Sequence, residues 1–248
     1  MLKIPVIQGI IDRRILVNFR VDPQVLSREL PEWFKPKVVG GFGIGGVCLI
    51  RLKHIRPSFV RSSVGFSSEN AAHRIAVVWE EGGEVHEGVF IPRRDTSSRM
   101  STLVGGRLFP GEHHHAHFQT EEIDGYYRVQ MESDDGVASL LVEGRIGEYF
   151  PKASVFENLE QASKFFEGGS LGYSARQERP GEYEGLELRT MSWAVEPLIV
   201  EKVESNYFLD RNRFPLGSVE FDNALLMTGI EHQWHGRDTL YIEQPGYG

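Results

Sequence analysis

"YYRVQMESDDGVASLLVEGRI", residues 126–146, places polar and apolar side chains alternately before an Asp-Gly pair. In an extended strand Tyr127, Val129 and Met131 take one face, and Arg128, Gln130 and Glu132 take the other. Asp135-Gly136 supplies turn chemistry, because glycine accepts the left-handed backbone that tight hairpin turns require. The stretch therefore predicts two antiparallel strands joined by a short turn. Related turn signals stand at "EEGGE" (80–84) and "ERPGEYEG" (178–185). Between such signals, strands are expected at 10–21, 37–53, 71–80, 85–91, 112–119, 186–195 and 197–209.

Helix signals are few. "VDPQVLSREL" offers Asp22 as N-cap and Pro23 in the first turn. "ENLEQASKFFEGG" offers Asn158 as cap, an apolar stripe and a glycine stop. Short helices are also expected to open at Asp95 or Thr96 and to cover "FDNALLMTGIEHQW" (221–234), with His232 and His235 at a surface helix end. The glycine-rich "GGFGIGG" (40–46) lacks the following helix and the downstream acid of a dinucleotide site, so it reads as a bent strand. Many strands with a few short helices predict an α+β, mainly β protein: a large curved antiparallel sheet forming a closed or nearly closed barrel.

Composition sets the class. The 248 residues carry a net charge of -8, which argues against a nucleic-acid partner. The longest nearly uncharged run, 38–50, is shorter than the roughly 20 residues of a membrane span. Cys48 is the lone cysteine, which excludes an intrachain disulfide. No signal-peptide pattern opens the chain. A single domain over residues 1–248, cytoplasmic and without a membrane partner, is expected; a homo-oligomer is compatible with these features.

Four segments carry a family resemblance. "ILVNFRVDPQVLSRELPEWFKP" (15–36) is a strand, a short helix and Leu-Pro. "GFSSENAAHRIAVVW" (65–79), "VGGRLFPGEHH" (104–114) and "EFDNALLM" (220–227) follow in order. Together they resemble the acetoacetate decarboxylase superfamily, in a bacterial branch that lacks the Schiff-base lysine. The resemblance implies that Glu69 is the site glutamate and that Arg107 and Phe109 belong to the Gly-Arg and aromatic-Pro segment. Arg13 or Arg14 stands nearest the family's arginine on the first strand. In the decarboxylase two lysines follow aromatic-Pro, and one forms an imine with the keto acid. Here Gly111 and Glu112 occupy those positions, and only seven lysines exist in the whole chain. An imine decarboxylase is therefore not expected.

"FPGEHHHAHF" (109–118) sets four histidines in five positions. On a strand His113, His115 and His117 share one face, with alternate Cα atoms about 7 Å apart. Such a pair can chelate a metal with a carboxylate from another strand, and His113 with His115 is the candidate pair. The plainer reading is a solvated strand face with no cofactor. "IPRRDTSSR" could place an anion at a helix start, or Asp95 could simply cap that helix while Arg93 and Arg94 pair with surface acids.

Three functions follow. The first is a pocket for a small organic acid or carbonyl ligand, bound by Arg107, Arg13, Arg14 and Phe109. The second is an enzyme of changed chemistry on keto acids (proton transfer, dehydration or aldol-type) with Glu69, His113 and Glu112 as catalytic groups. The third is a metal-dependent enzyme on the His113/His115 strand. Against the pocket reading stands a Glu69–arginine ion pair that only holds the barrel together.

Overall fold

The computed structural model describes residues 5–61, 65–98, 110–176 and 179–241. Its strands are β1 (Ile7–Val21), β2 (Lys35–Pro36), β3 (Val38–Val39), β4 (Phe42–Pro57), β5 (Phe66–Glu81), β6 (Glu84–Thr96), β7 (His113–Ile123), β8 (Tyr126–Ser133), β9 (Ser139–Ile146), β10 (Leu171–Ala175), β11 (Glu182–Thr190), β12 (Glu196–Ser205) and β13 (Val219–Tyr241). Among the described residues three short helices accompany them: α1 (Pro23–Ser27), α2 (Leu159–Gly168) and α3 (Asn206–Leu209). The expected hairpin is β8–β9, with Val129 paired to Val142 and Met131 to Leu140 across it. Asp22 caps α1 by accepting from the Gln24 and Val25 amides, and Asn158 caps α2 by accepting from Gln161.

All the strands belong to one sheet. Pairings β1–β4, β4–β5, β5–β6 and β1–β13 build a wall of long strands. The wall closes along two routes. One runs from β6 through β7, β8, β9 and β12 to β13. The other runs from β6 through β10 and β11 to β13. The mainly β, curved and nearly closed sheet is as expected. It is mixed rather than antiparallel, because β6 pairs in parallel with both β7 and β10.

Because the two routes fold to opposite sides, the shared wall is covered on both faces. Ile15, Val17, Phe19, Val47, Leu49, Ala71 and Ile75 bury into one core. Leu16, Cys48, Ile50 and Ala76 turn to a second core, which α2 covers with Ala162 and Phe166. Each Val, Leu, Ile or Phe side chain among these contributes about 1.5–3 kcal/mol on full burial. Gly45 shows why the glycine-rich stretch is a strand. The Phe208 ring, stacked 4.4 Å from Phe19, would lie 3.0 Å from a Cβ added at Gly45.

One expected helix is a strand instead, and the other does not open at the residues expected. Asp95 and Thr96 end β6, so neither caps a helix; the stretch beyond residue 98 lies outside the described residues. Residues 221–234 lie within β13, and His232 is buried in it rather than sitting at a helix end. Ala224, Leu225, Leu226 and Met227 are all buried, since β13 is central and covered on both faces. That continuous apolar run hides the strand's period of two.

Candidate functional site

A cavity of about 150 Å³ lies on the second face of the wall. Leu16, Cys48, Ile50 and Ala72 form its floor, and Ile91, Leu188, Phe165 and Phe166 face them from β6, β11 and α2. Strand alternation decides which polar groups reach it. On β1, Arg14 follows Leu16 to the cavity, while Arg13 turns to the other face with Ile15. On β5, Asn70 and Arg74 line the cavity, while Glu69 and His73 lie on the Ala71 face.

Three arginines converge here, and none has a carboxylate within 4 Å among the described residues. Arg14 is 9% exposed, and its guanidinium meets sulfur: Nε donates to Cys48 Sγ at 3.3 Å and Nη1 to Met227 Sδ at 3.9 Å. Arg74 is 6% exposed and donates to Asn18 Oδ1, with Phe166 4.9 Å beneath its guanidinium. Asn18 in turn donates to Asn223 Oδ1 at 2.8 Å, and Asn223 donates to Asp222 at 2.6 Å. Two neutral amides thus stand between Arg74 and the Asp222 carboxylate and orient the guanidinium. Arg94 donates from Nε to the Pro110 carbonyl at 2.8 Å. Burial pushes Arg74 and Arg94 down to about 10, which leaves both cationic at neutral pH.

His113, paired with Arg94 across β6–β7, also lines the cavity. Burial first, and Arg94 second, push its imidazole down to about 4, so it is neutral at pH 7. Its Nδ1 lies 3.2 Å from the Gly111 carbonyl oxygen, an acceptor, which places the proton on Nδ1 and the basic lone pair on Nε2. Lys37 reaches the rim, where it ion-pairs with Glu87 at 2.7 Å and covers the Phe165 ring at 4.4 Å. Sequence reasoning about neighbours of Phe109-Pro110 missed this lysine, because tertiary packing delivers it from β2–β3.

The other sequence candidates lie elsewhere. Glu69 accepts from Arg13 Nη2 and from Arg51 Nε, each at 2.5 Å, on the opposite face from the cavity. Glu122 accepts from the same two arginines at 2.6 and 2.7 Å, and Asp12 joins through Arg51 and Lys53. Burial acts to lower the Arg51 pKa, but Glu69 and Glu122 outweigh it and raise it. Glu112 is exposed beside His114, 3.6 Å away. Arg93 is held by Asp95 at 2.7 Å and by Asp135 at 2.9 Å. Arg107 and Phe109 fall outside the described residues. His113 lines the cavity. His115 lies with His117 against Asp134, where three donor atoms come within 4.8 Å of one another.

No family model matches the chain, and no curated protein does either. Solved structures do. The acetoacetate decarboxylase of Legionella pneumophila is 11% identical, with 93% of this chain and 86% of that one covered at a TM-score of 0.60. An acetoacetate decarboxylase-like enzyme from Sphingomonas wittichii RW1 is 12% identical, with 98% and 95% covered at 0.60. The enduracididine biosynthesis enzyme MppR, complexed with pyruvate, is 10% identical, with 97% and 91% covered at 0.57. The doubly closed sheet described above is therefore the acetoacetate decarboxylase-like fold.

Proposed function

We propose that the chain binds a small organic acid in the cavity on the second face of the wall, with the ligand carboxylate as counter-ion to Arg14, Arg74 and Arg94. The observation that carries this reading is the set of three cationic side chains that meet no acidic partner among the described residues. Burying an uncompensated charge is costly, and the cost is recovered when an anion arrives to accept the charge-assisted hydrogen bonds. The apolar floor suits the carbon skeleton of a short acid. The complex of MppR with pyruvate shows what one neighbour of this fold accommodates.

Imine chemistry is not part of the proposal. Lys37 is engaged as an ammonium with Glu87, and imine formation needs a neutral amine. A second reading, proton transfer on a keto acid, is favoured by one observation: a neutral His113 beside Arg94. Nε2 would take the proton α to the carbonyl, and the arginines would hold the enolate oxygen.

Calorimetric titration with pyruvate and acetoacetate tests the binding reading, with acetone as the uncharged control. Saturable binding of the acids and none of acetone is expected. Equal binding of acetone, or no binding of either acid, would overturn it. In heavy water, proton NMR of the pyruvate methyl group tests the second reading. Exchange that is faster than the buffer rate and absent in His113→Gln supports it; exchange at the buffer rate removes it. Borohydride added during either experiment is expected to leave every lysine unmodified.

A further inference from the structure

We infer that His115, His117 and Asp134 form a binding site for one transition-metal dication of borderline softness, such as Zn2+, on the outer end of β7. His115 and His117 occupy alternate positions of one strand and so present their rings on one face. The rings stand 5.3 Å apart and perpendicular, at 89°. Asp134 comes from the turn between β8 and β9. Its backbone amide donates to the His115 carbonyl at 2.9 Å, which pins the residue beside the strand. Its carboxylate then reaches both rings. Oδ2 lies 2.8 Å from His115 Nδ1, and Oδ1 lies 3.1 Å from His117 Nε2.

The charge arrangement separates this group from its neighbours. Asp135, the next residue, is neutralised by Arg93 and also takes His114. Asp134 has no lysine or arginine within 4 Å among the described residues, and its ion-pair partners there are these two histidines. His113, two positions back, belongs to the cavity. The group is thus two imidazoles and one uncompensated carboxylate. Tetrahedral zinc with bonds near 2.05 Å holds its ligand atoms about 3.3 Å apart. The carboxylate-to-imidazole separations of 2.8 and 3.1 Å lie near that value, and all three donor atoms fall within 4.8 Å of one another. Both His117 and Asp134 are exposed, at 73% and 51%, so water completes the coordination. Imidazole nitrogen with one carboxylate favours Zn2+ and its neighbours over Mg2+ or Ca2+. A bound ion would tie β7 to the β8–β9 turn.

Tag-free protein stripped with a chelator and titrated calorimetrically with zinc chloride tests the site. One zinc per chain is expected. His117→Ala and Asp134→Asn should each weaken it by about tenfold or more, while His114→Ala leaves it unchanged. Excess Mg2+ should not compete. His117 and Asp134 are exposed and His114 is partly buried, and thermal melting of the metal-free variants near wild type confirms that the fold is intact. No saturable binding, zinc bound as tightly by both weakened variants as by wild type, or an equal loss in His114→Ala would overturn the assignment.

Discussion

The two faces of the wall β1–β4–β5–β6 carry arginines in opposite electrostatic states. On one face Arg13, Arg51 and Lys53 meet Asp12, Glu69 and Glu122, so three cations face three carboxylates. On the other, Arg14, Arg74 and Arg94 meet sulfur, an amide oxygen and a peptide carbonyl. Arg13 and Arg14 are adjacent in sequence and end in these different environments. A self-neutralised network has nothing left to offer a ligand, and it stabilises the sheet. A cationic set held by neutral dipoles remains attractive to an anion. Charge balance, rather than the presence of arginine, separates the structural face from the candidate binding face.

The sharpest test acts on the balanced face. Glu69→Gln removes one carboxylate from a network whose Arg13 is 1% exposed. Breaking a buried pair by deleting one partner costs about 3 kcal/mol, with Glu122 left as a partial substitute. Urea denaturation should show that loss, while affinity for a small acid stays at the wild-type value. Wild-type stability together with lost ligand binding would reverse the roles assigned to the two faces.

Arg94→Met is the opposite experiment. Deleting a charged hydrogen-bond donor to a bound carboxylate should weaken pyruvate binding by about thirtyfold, which corresponds to about 2 kcal/mol. Stability should hold or rise, since a partly buried charge with no acidic partner among the described residues is removed. A large loss of stability with unchanged affinity would show that Arg94 holds the fold instead.

A smaller effect comes from His113. Its folded pKa, about 4, lies below the ordinary value of 6.5. The unfolded chain therefore binds the extra proton first as the pH drops. Stability contributed by the neutral imidazole is present above pH 6.5 and is lost as pH falls from 6.5 towards 4. Between pH 6.5 and 4.5 that loss amounts to about 1–2 kcal/mol. Denaturation of His113→Gln across the same window should show a shallower dependence by that amount. Identical slopes for variant and wild type would mean that His113 is freely solvated.

Much of this architecture was legible from local chemistry. Alternation around Asp135-Gly136 marks the β8–β9 hairpin, because one face of each strand is buried and the other is wet. Asp22 and Asn158 mark helix starts, because caps act within a few residues. The four resembling segments point to the fold that the solved structures share. β13 was not legible, since burial on both faces erases the alternation that distinguishes strand from helix. Nor was the end of β6, where Asp95 has the composition of a cap but its partner, Arg93, lies two residues back on the same strand.

The candidate site divides along the same line. Sequence alone determined that the chain has the residue types for anion binding and metal ligation, that aromatic-Pro is followed by Gly111 and Glu112, and that His113, His115 and His117 share a strand face. The tertiary structure decided which of them meet. It sent Arg14 rather than Arg13 to the cavity, brought Arg74 and Lys37 to it from distant strands, turned Glu69 to the opposite face and split His113 from His115. The physical reason is the double closure of the sheet. Strand alternation says that neighbours point apart, but only the route by which the sheet closes says which side encloses a cavity and which side a packed core.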